Sequence, residues 1–141
     1  MNNLNVLILA AGKGTRLKSN LPKVLHALSG KPLIEYVLAA AQSLAPRKIG
    51  VVVGYEAERV KAQLAGHTLE FIVQDPQLGT GHAVQIARPF WENEPGTLLL
   101  LSGDVPLIAA STLSALAMHH ASSRCSCTML STLLPDPAGY G

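Results

Sequence analysis

The amino-acid sequence predicts a doubly wound α/β fold, in which helices cover both faces of a mostly parallel β-sheet. Two observations lead to this fold class: short apolar runs alternate with segments of helical periodicity, and the runs are apolar on both faces. The chain has 141 residues, of which 48% are hydrophobic, so one domain with a substantial core is expected. The predicted element order is βαβαβαβαβ, with right-handed crossovers.

Five apolar runs are predicted to form strands. They span residues 4–10, 49–53, 69–73, 97–101 and 125–133. Cys125 and Cys127 share one face of the last run, and their spacing is too short for a zinc site. We therefore expect two reduced thiols in the core rather than a metal centre.

Four segments between these runs carry apolar residues at helical spacing and predict helices. They span residues 33–41, 56–65, 83–87 and 111–120. Pro32 suits the first turn of the first helix, and Ser111 is a candidate N-cap of the fourth. Thr80 is a candidate N-cap of the third helix, a role that is compatible with contact to a ligand.

Composition excludes several classes of protein. The apolar runs fall far short of the ~20 residues of a membrane span, and the N-terminus lacks the basic region of a signal peptide, so a cytoplasmic protein without membrane contact is expected. Five cations and no acid lie within the first 34 residues. This cluster suits a small polyanion better than nucleic acid because it has no interleaved aromatics, although an ordinary solvated face has the same composition.

A ligand site is expected at the carboxyl ends of the first, third and fourth strands, because doubly wound sheets bind ligands where the direction of winding reverses. Unusual residues follow all three strands: a glycine-rich loop at 10–16, a polar segment at 74–82 and a Gly-Asp turn at 102–106. Gly12 and Gly14 allow backbone amides to approach phosphate oxygens, although glycine also serves tight turns for structural reasons alone.

Two familiar phosphate motifs are incomplete in this loop. Leu17 occupies the position of the last glycine in both G-x-G-x-x-G and G-x-x-x-x-G-K-[ST]. A dinucleotide-binding oxidoreductase also needs an acid at the end of the second strand, where Val53 is instead followed by Gly54 and Tyr55. Both the P-loop and the oxidoreductase interpretations are therefore disfavoured.

Four ordered motifs across almost the whole chain resemble those of the sugar-phosphate nucleotidyltransferases. The first is LAAGKGTRL with the following LPKVLH, and the others are QLGTGHA, GDVPL and the closing DPAGYG. The combination is similar to one branch, the uridyltransferase domain of bacterial bifunctional N-acetylglucosamine-1-phosphate uridyltransferases. Ser102 departs from that branch, which often has tyrosine before the Gly-Asp pair.

The resemblance implies a Mg²⁺-dependent reaction of UTP with N-acetylglucosamine 1-phosphate, giving UDP-N-acetylglucosamine and pyrophosphate. It also implies that residues 1–141 are the nucleotide-binding part of a C-terminally incomplete transferase domain. The rest of that domain and an acetyltransferase domain, through which the parent would be homo-oligomeric, are then expected outside this chain. The alternative is a nucleotide-binding module with little or no turnover.

The resemblance further implies roles for single residues. Arg16 and Lys23 are expected to be catalytic, with Lys13 beside Arg16 on the triphosphate, and Asp104 is expected to hold Mg²⁺. Four residues are expected to read the uracil edge, namely Gln74, Gln77, Gly79 and Thr80. The remaining expected substrate contacts are Leu9, Ala10, Ala11, Gly12, Ser102, Gly103 and, at the acetamido group of the sugar, Gly139.

Several of these residues have a plainer structural alternative. Gln74 can be only the polar end of a strand, and Asp104 can be only a turn residue. His82 is expected to be mainly structural, and His26, His119 and His120 show no metal-binding or nucleophilic pattern. Trp91 is expected to be a packing residue.

Overall fold

A computed structural model describes residues 3–14, 17–136 and 138. In chain order its elements are β1 (Leu4–Ala10), a 3₁₀ helix (Lys23–Leu25), β2 (Ala27–Leu28), β3 (Lys31–Pro32), α1 (Leu33–Gln42), β4 (Lys48–Val53), α2 (Ala57–Gln63), β5 (Glu70–Val73), α3 (Thr80–Ile86), α4 (Arg88–Trp91), β6 (Thr97–Ser102) and α5 (Ala110–Ser123). None of the helices in these ranges combines the length and apolar character needed to cross a membrane.

The main sheet has four parallel strands in the order β5-β4-β1-β6. From β1 the chain moves outward to β4 and then β5, and it returns to the opposite side of β1 to form β6. The direction of winding therefore reverses between β1 and β6, as the sequence predicts. A separate hairpin of β2 and β3 precedes α1. The doubly wound, parallel α/β fold class is confirmed.

Helices cover both faces of the sheet, and this explains why β1 is apolar except at Asn5. Val6 and Ile8 point to the larger core, which also contains buried residues of α1, α2 and α5. Leu7, between them, points to the smaller core with residues of α3 and α4. Gly50 on β4 leaves the space that Phe90 of α4 fills, since a Cβ on Gly50 would lie 3.0 Å from the aromatic ring.

The predicted fifth strand at residues 125–133 is wrong. Arg124 after α5 adopts a left-handed conformation, and residues 125–136 have no regular secondary structure. Cys125 and Cys127, expected in the core, are exposed, although both are free thiols as predicted. An apolar run becomes a strand only where a neighbour pairs with its backbone, and within the described ranges β6 pairs with β1 alone.

The other predicted strands and helices are confirmed, but several ends and all three proposed capping details differ. Thr80 is the first residue of α3, and Gly79 is the N-cap residue, without a side-chain hydrogen bond. Ser111 likewise lies inside α5 and does not cap it. Pro32 is the N-cap residue of α1 rather than part of its first turn. The β2-β3 hairpin and the short α4 were not expected, because elements of two to four residues carry no readable periodicity.

Candidate functional site

A cleft of about 400 Å³ opens at the carboxyl ends of the parallel strands, around the point where the winding reverses. It lies where the sequence predicts a ligand site, and most of the expected substrate, catalytic and metal residues line it. These are Leu9, Ala10, Ala11, Gly12, Lys23, Gln74, Gln77, Gly79, Thr80, Ser102 and Asp104, together with Val24 and Ala83, which the sequence did not single out.

The turn after β6 is held against the end of β1. The backbone N–H of Gly103 donates a hydrogen bond of 2.9 Å to the carbonyl oxygen of Leu9. A Cβ on Gly103 would lie 3.1 Å from that same oxygen, so the close approach requires a small residue. This contact places Asp104, the next residue, at the mouth of the cleft. Gly103 itself is not among the residues that line the cleft.

Lys23 reaches the same place from the 3₁₀ helix. Its ammonium group forms an ion pair with the carboxylate of Asp104, and both side chains stay partly exposed. The neighbouring Val24 is buried and fixes the short helix against the core. The structure therefore brings together the expected catalytic lysine and the expected metal ligand.

The glycine loop packs directly on this lysine. Gly14 has a φ of +67°, and a Cβ on it would lie 2.7 Å from the Cβ of Lys23. Both the backbone conformation and the close approach make any other residue costly here. The second glycine of the loop therefore determines how near the loop comes to Lys23.

Gln74 is almost completely buried at the end of β5, with 3% of its surface exposed. Its backbone N–H donates to the carbonyl oxygen of Val53, which continues the pairing of β5 with β4. The side-chain Nε2 donates to the carbonyl oxygen of Gly79 at 3.0 Å and lies 3.1 Å from Nδ1 of His82. The amide is thus part of a hydrogen-bonded network and is more than the polar end of a strand.

The side chain of Gln77 packs against the loop that follows β4. A Cβ on Gly54 would lie 2.9 Å from both Nε2 of Gln77 and the carbonyl oxygen of Ala11, so that glycine makes room for both. The backbone N–H of Tyr55 donates a hydrogen bond to the carbonyl oxygen of Ala11. Gly54 and Tyr55 do not line the cleft themselves, so this loop supports cleft residues from outside, a role that no motif indicated.

Lys13 is the one described cation of the glycine loop, and it does not line the cleft. Its ammonium group lies over the ring of Tyr55, 5.0 Å from the ring centroid, within the range of a cation–π contact. Arg16 and Gly139, the other expected contacts, lie outside the described residues.

Trp91 packs against the smaller core, which confirms its predicted packing role. His82 contacts the amide of Gln74 through Nδ1 and is not among the residues that line the cleft, which agrees with the mainly structural role expected for it.

The residues present fit a divalent cation that arrives with a nucleotide. Asp104 supplies one carboxylate. This carboxylate already pairs with a cationic group, the ammonium of Lys23. Within the described ranges no three acidic, histidine or cysteine side chains cluster, so a cage built from protein ligands alone is absent there. Mg²⁺ is commonly bound by one or two carboxylates with phosphate oxygens and water, and this donor set matches that pattern.

The parallel sheet, the glycine loop after β1 and the Lys-Asp pair at the reversal of winding are together typical of nucleotidyltransferases. The MobA-like NTP transferase domain matches residues 6–134, and the chain belongs to this family. More particularly, the chain matches the N-terminal region of the bifunctional protein GlmU. It is 53% identical over 139 residues to GlmU of Synechococcus sp. (strain CC9311). That match covers 98% of this chain and 31% of the relative, so the chain spans about a third of the length of the curated relatives it matches.

Solved structures share the fold. A nucleotidyl transferase from Methanothermobacter thermautotroptrophicus is 25% identical and superposes with a TM-score of 0.70, covering 84% of this chain and 58% of its own. Rv0371C of Mycobacterium tuberculosis, solved in complex with manganese, is 20% identical with a TM-score of 0.71 and covers 86% of this chain and 61% of its own. At that identity, the second likeness shows the fold alone.

Proposed function

We propose that this chain is the nucleotide-binding part of a uridylyltransferase that joins UTP to N-acetylglucosamine 1-phosphate, releasing pyrophosphate and forming UDP-N-acetylglucosamine. The observation that carries the proposal is the convergence of Lys23, Asp104 and Gln74 on one cleft. The similarity to GlmU over 98% of the chain supports the choice of substrates.

The phosphate end of the cleft is the Lys23-Asp104 pair. In the proposed function Asp104 would hold Mg²⁺ together with phosphate oxygens, and the ion would supply neutralisation of phosphate charge. The ammonium of Lys23 is then released from the carboxylate and contacts the phosphoryl oxygens at the reacting centre. Arg16, outside the described residues, and Lys13 are proposed to hold the triphosphate.

The proposed nucleoside end of the cleft lies at the ends of β1 and β5. The backbone of residues 9–12 is proposed to face the nucleoside, and Gln74 to contact the uracil edge with Gln77, Gly79 and Thr80. All of these residues line the same cleft, which supports their common role. Burial of Gln74 also supports it, because a buried amide that faces a ligand discriminates strongly between matched and mismatched hydrogen-bond partners.

The chemical step is a displacement at phosphorus. A phosphate oxygen of the sugar phosphate attacks the α-phosphorus of UTP in line, the new P–O bond forms, and the bond from that phosphorus to the bridging oxygen breaks. Pyrophosphate leaves with the bonding electrons, and no covalent enzyme intermediate is needed. Catalysis therefore rests on positioning and on the neutralisation of charge, which cationic side chains and backbone amides supply.

The sugar side of the proposed site is only partly present in the described residues. Ser102 lines the cleft, and Gly103 is the next residue along the chain. Both are proposed to lie near the sugar phosphate. Gly139 is proposed to contact the acetamido group and lies outside the described residues.

The release of pyrophosphate tests this function. The complete enzyme containing this chain is incubated with UTP, N-acetylglucosamine 1-phosphate and Mg²⁺, and CTP replaces UTP in the control. We expect release that depends on the sugar phosphate and is faster with UTP. Equal rates with both nucleotides would contradict the proposed base specificity, and no release would contradict the reaction. The same assay on the 141-residue chain distinguishes turnover from nucleotide binding alone.

A further inference from the structure

The side-chain amide of Gln74 is bound on its nitrogen side by two acceptors. One hydrogen of Nε2 is directed to the carbonyl oxygen of Gly79, at 3.0 Å. The other faces Nδ1 of His82, at 3.1 Å. An amide nitrogen has two hydrogens and no acceptor capacity, so both of its hydrogen bonds are used within the protein. For Nδ1 to accept, the ring proton of His82 must sit on Nε2.

The amide oxygen has no such partner. Among the residues that the structure describes, both hydrogen bonds of the Gln74 side chain are made by Nε2, and none is made by Oε1. The residue lines the cleft although only 3% of its surface is exposed. The Gln74 side chain therefore has a hydrogen-bond acceptor, Oε1, left for a ligand in the cleft, and no donor.

We propose that His82 is a positioning residue that makes the site specific for uracil over cytosine, by occupying the second N–H of the Gln74 amide. This inference rests on the proposed function. Uracil carries a donor at N3, which pairs with an acceptor. Cytosine carries an acceptor at N3, which would face the oxygen of Gln74 with no hydrogen between them. A buried mismatch of this kind costs more than a missing bond, because neither group reaches water.

The role of His82 is distinct from that of Gly79. The carbonyl oxygen of Gly79 is enough to orient the Gln74 amide, because only the nitrogen can donate to it. It accepts only one of the two amide hydrogens. Without His82 the second N–H is unpaired and becomes available to a ligand. The amide then presents a donor as well as an acceptor, and cytosine is no longer excluded.

Binding of UTP and CTP with Mg²⁺, measured by calorimetry on the complete enzyme containing this chain, tests this role. We expect His82→Ala to lower the ratio of UTP to CTP affinity by about tenfold. His82→Asn is expected to preserve the ratio, because its side-chain oxygen can replace Nδ1 as the acceptor. His119→Ala, on the exposed side of α5, is the matched control and is expected to leave the ratio unchanged.

Three outcomes are decisive. A lower ratio in His82→Ala with recovery in His82→Asn supports the positioning role. If wild type prefers UTP and the ratio is unchanged in His82→Ala, even where both affinities fall equally, the role is overturned while the proposed function stands. If wild type shows no preference for UTP, both fail. Should His82→Ala not fold, His82→Leu carries the same expectation with the side-chain volume retained.

Discussion

The ammonium of Lys23 and the carboxylate of Asp104 form an ion pair at the carboxyl edge of the sheet, although the two residues are far apart along the chain. Two glycines contribute to this arrangement. Gly14 lets the glycine loop pack on Lys23, and the N–H of Gly103, next to Asp104, donates a hydrogen bond to Leu9 at the end of β1. In the proposed function this ion pair separates when the substrate binds. Lys23 then contacts phosphate, and Asp104 holds the metal.

Replacement of Lys23 should affect turnover more than nucleotide binding. We expect Lys23→Ala in the complete enzyme to lower kcat by about a hundredfold or more, because the lost charge acts on the transition state, and to change UTP affinity far less. Steady-state kinetics with UTP and the sugar phosphate measure both. Lys31→Ala, at an exposed lysine near Tyr36, is the control. A change confined to affinity would place Lys23 away from the reacting centre.

Removal of the carboxylate charge at Asp104 should weaken metal binding. We expect Asp104→Asn to lower the affinity for Mn²⁺ in the presence of UTP by about tenfold or more, since the neutral amide is a poorer ligand for a hard cation. Electron paramagnetic resonance counts the free ion directly and does not depend on turnover. Glu58→Gln serves as the control, because Glu58 is an exposed residue of α2 whose carboxylate pairs with Lys61, away from the cleft. Identical Mn²⁺ titrations for wild type and Asp104→Asn would remove the metal assignment.

A side chain at Gly14 should displace Lys23. Gly14→Ala places a methyl group 2.7 Å from the Cβ of Lys23 and requires a left-handed alanine, so we expect a loss of about 1–3 kcal/mol in the free energy of unfolding. Urea denaturation followed by circular dichroism measures it. The control is Gly66→Ala, where a Cβ meets nothing within 4 Å and φ is not positive. Equal stability of the two variants would show that the loop relaxes at no cost.

Truncation of a buried leucine tests the larger core. Leu38 on α1 is fully buried, and Leu38→Ala should lower the free energy of unfolding by about 2–5 kcal/mol through lost burial and the cavity left behind. Leu107→Ala removes the same atoms from a side chain that is 83% exposed, and we expect less than about 0.5 kcal/mol. The comparison uses the same denaturation experiment, and a small effect at Leu38 would contradict the packing of α1 on the sheet.

Loss of the Gln74 amide should relax the choice of base. Gln74→Ala removes the acceptor that uracil N3 is proposed to meet, so we expect UTP affinity to fall and the preference over CTP to shrink. Gln63→Ala, on the exposed side of α2, is the matched control. If the preference for uridine survived in Gln74→Ala, the base would be recognised by other residues.

The sequence alone determined the class of fold, the four paired strands of the sheet and the edge at which the cleft lies. These follow from local features: β1 and β4 are apolar on both faces, which only a sheet covered on both sides explains, and ligands in such sheets bind where the winding reverses. The motifs also identified most of the residues that line the cleft.

Tertiary structure decided what depends on contacts between distant residues. Residues 125–133 have the pattern of a strand, yet they do not pair in the described part of the chain, because pairing requires a neighbour that a local pattern does not specify. Lys13 has the motif position of a phosphate ligand, and its ammonium group contacts the ring of Tyr55, a partner that no spacing rule indicates. The bonding of Gln74 to His82 is likewise a matter of side-chain geometry, since hydrogen bonds depend on distance and direction in space and not on separation along the chain.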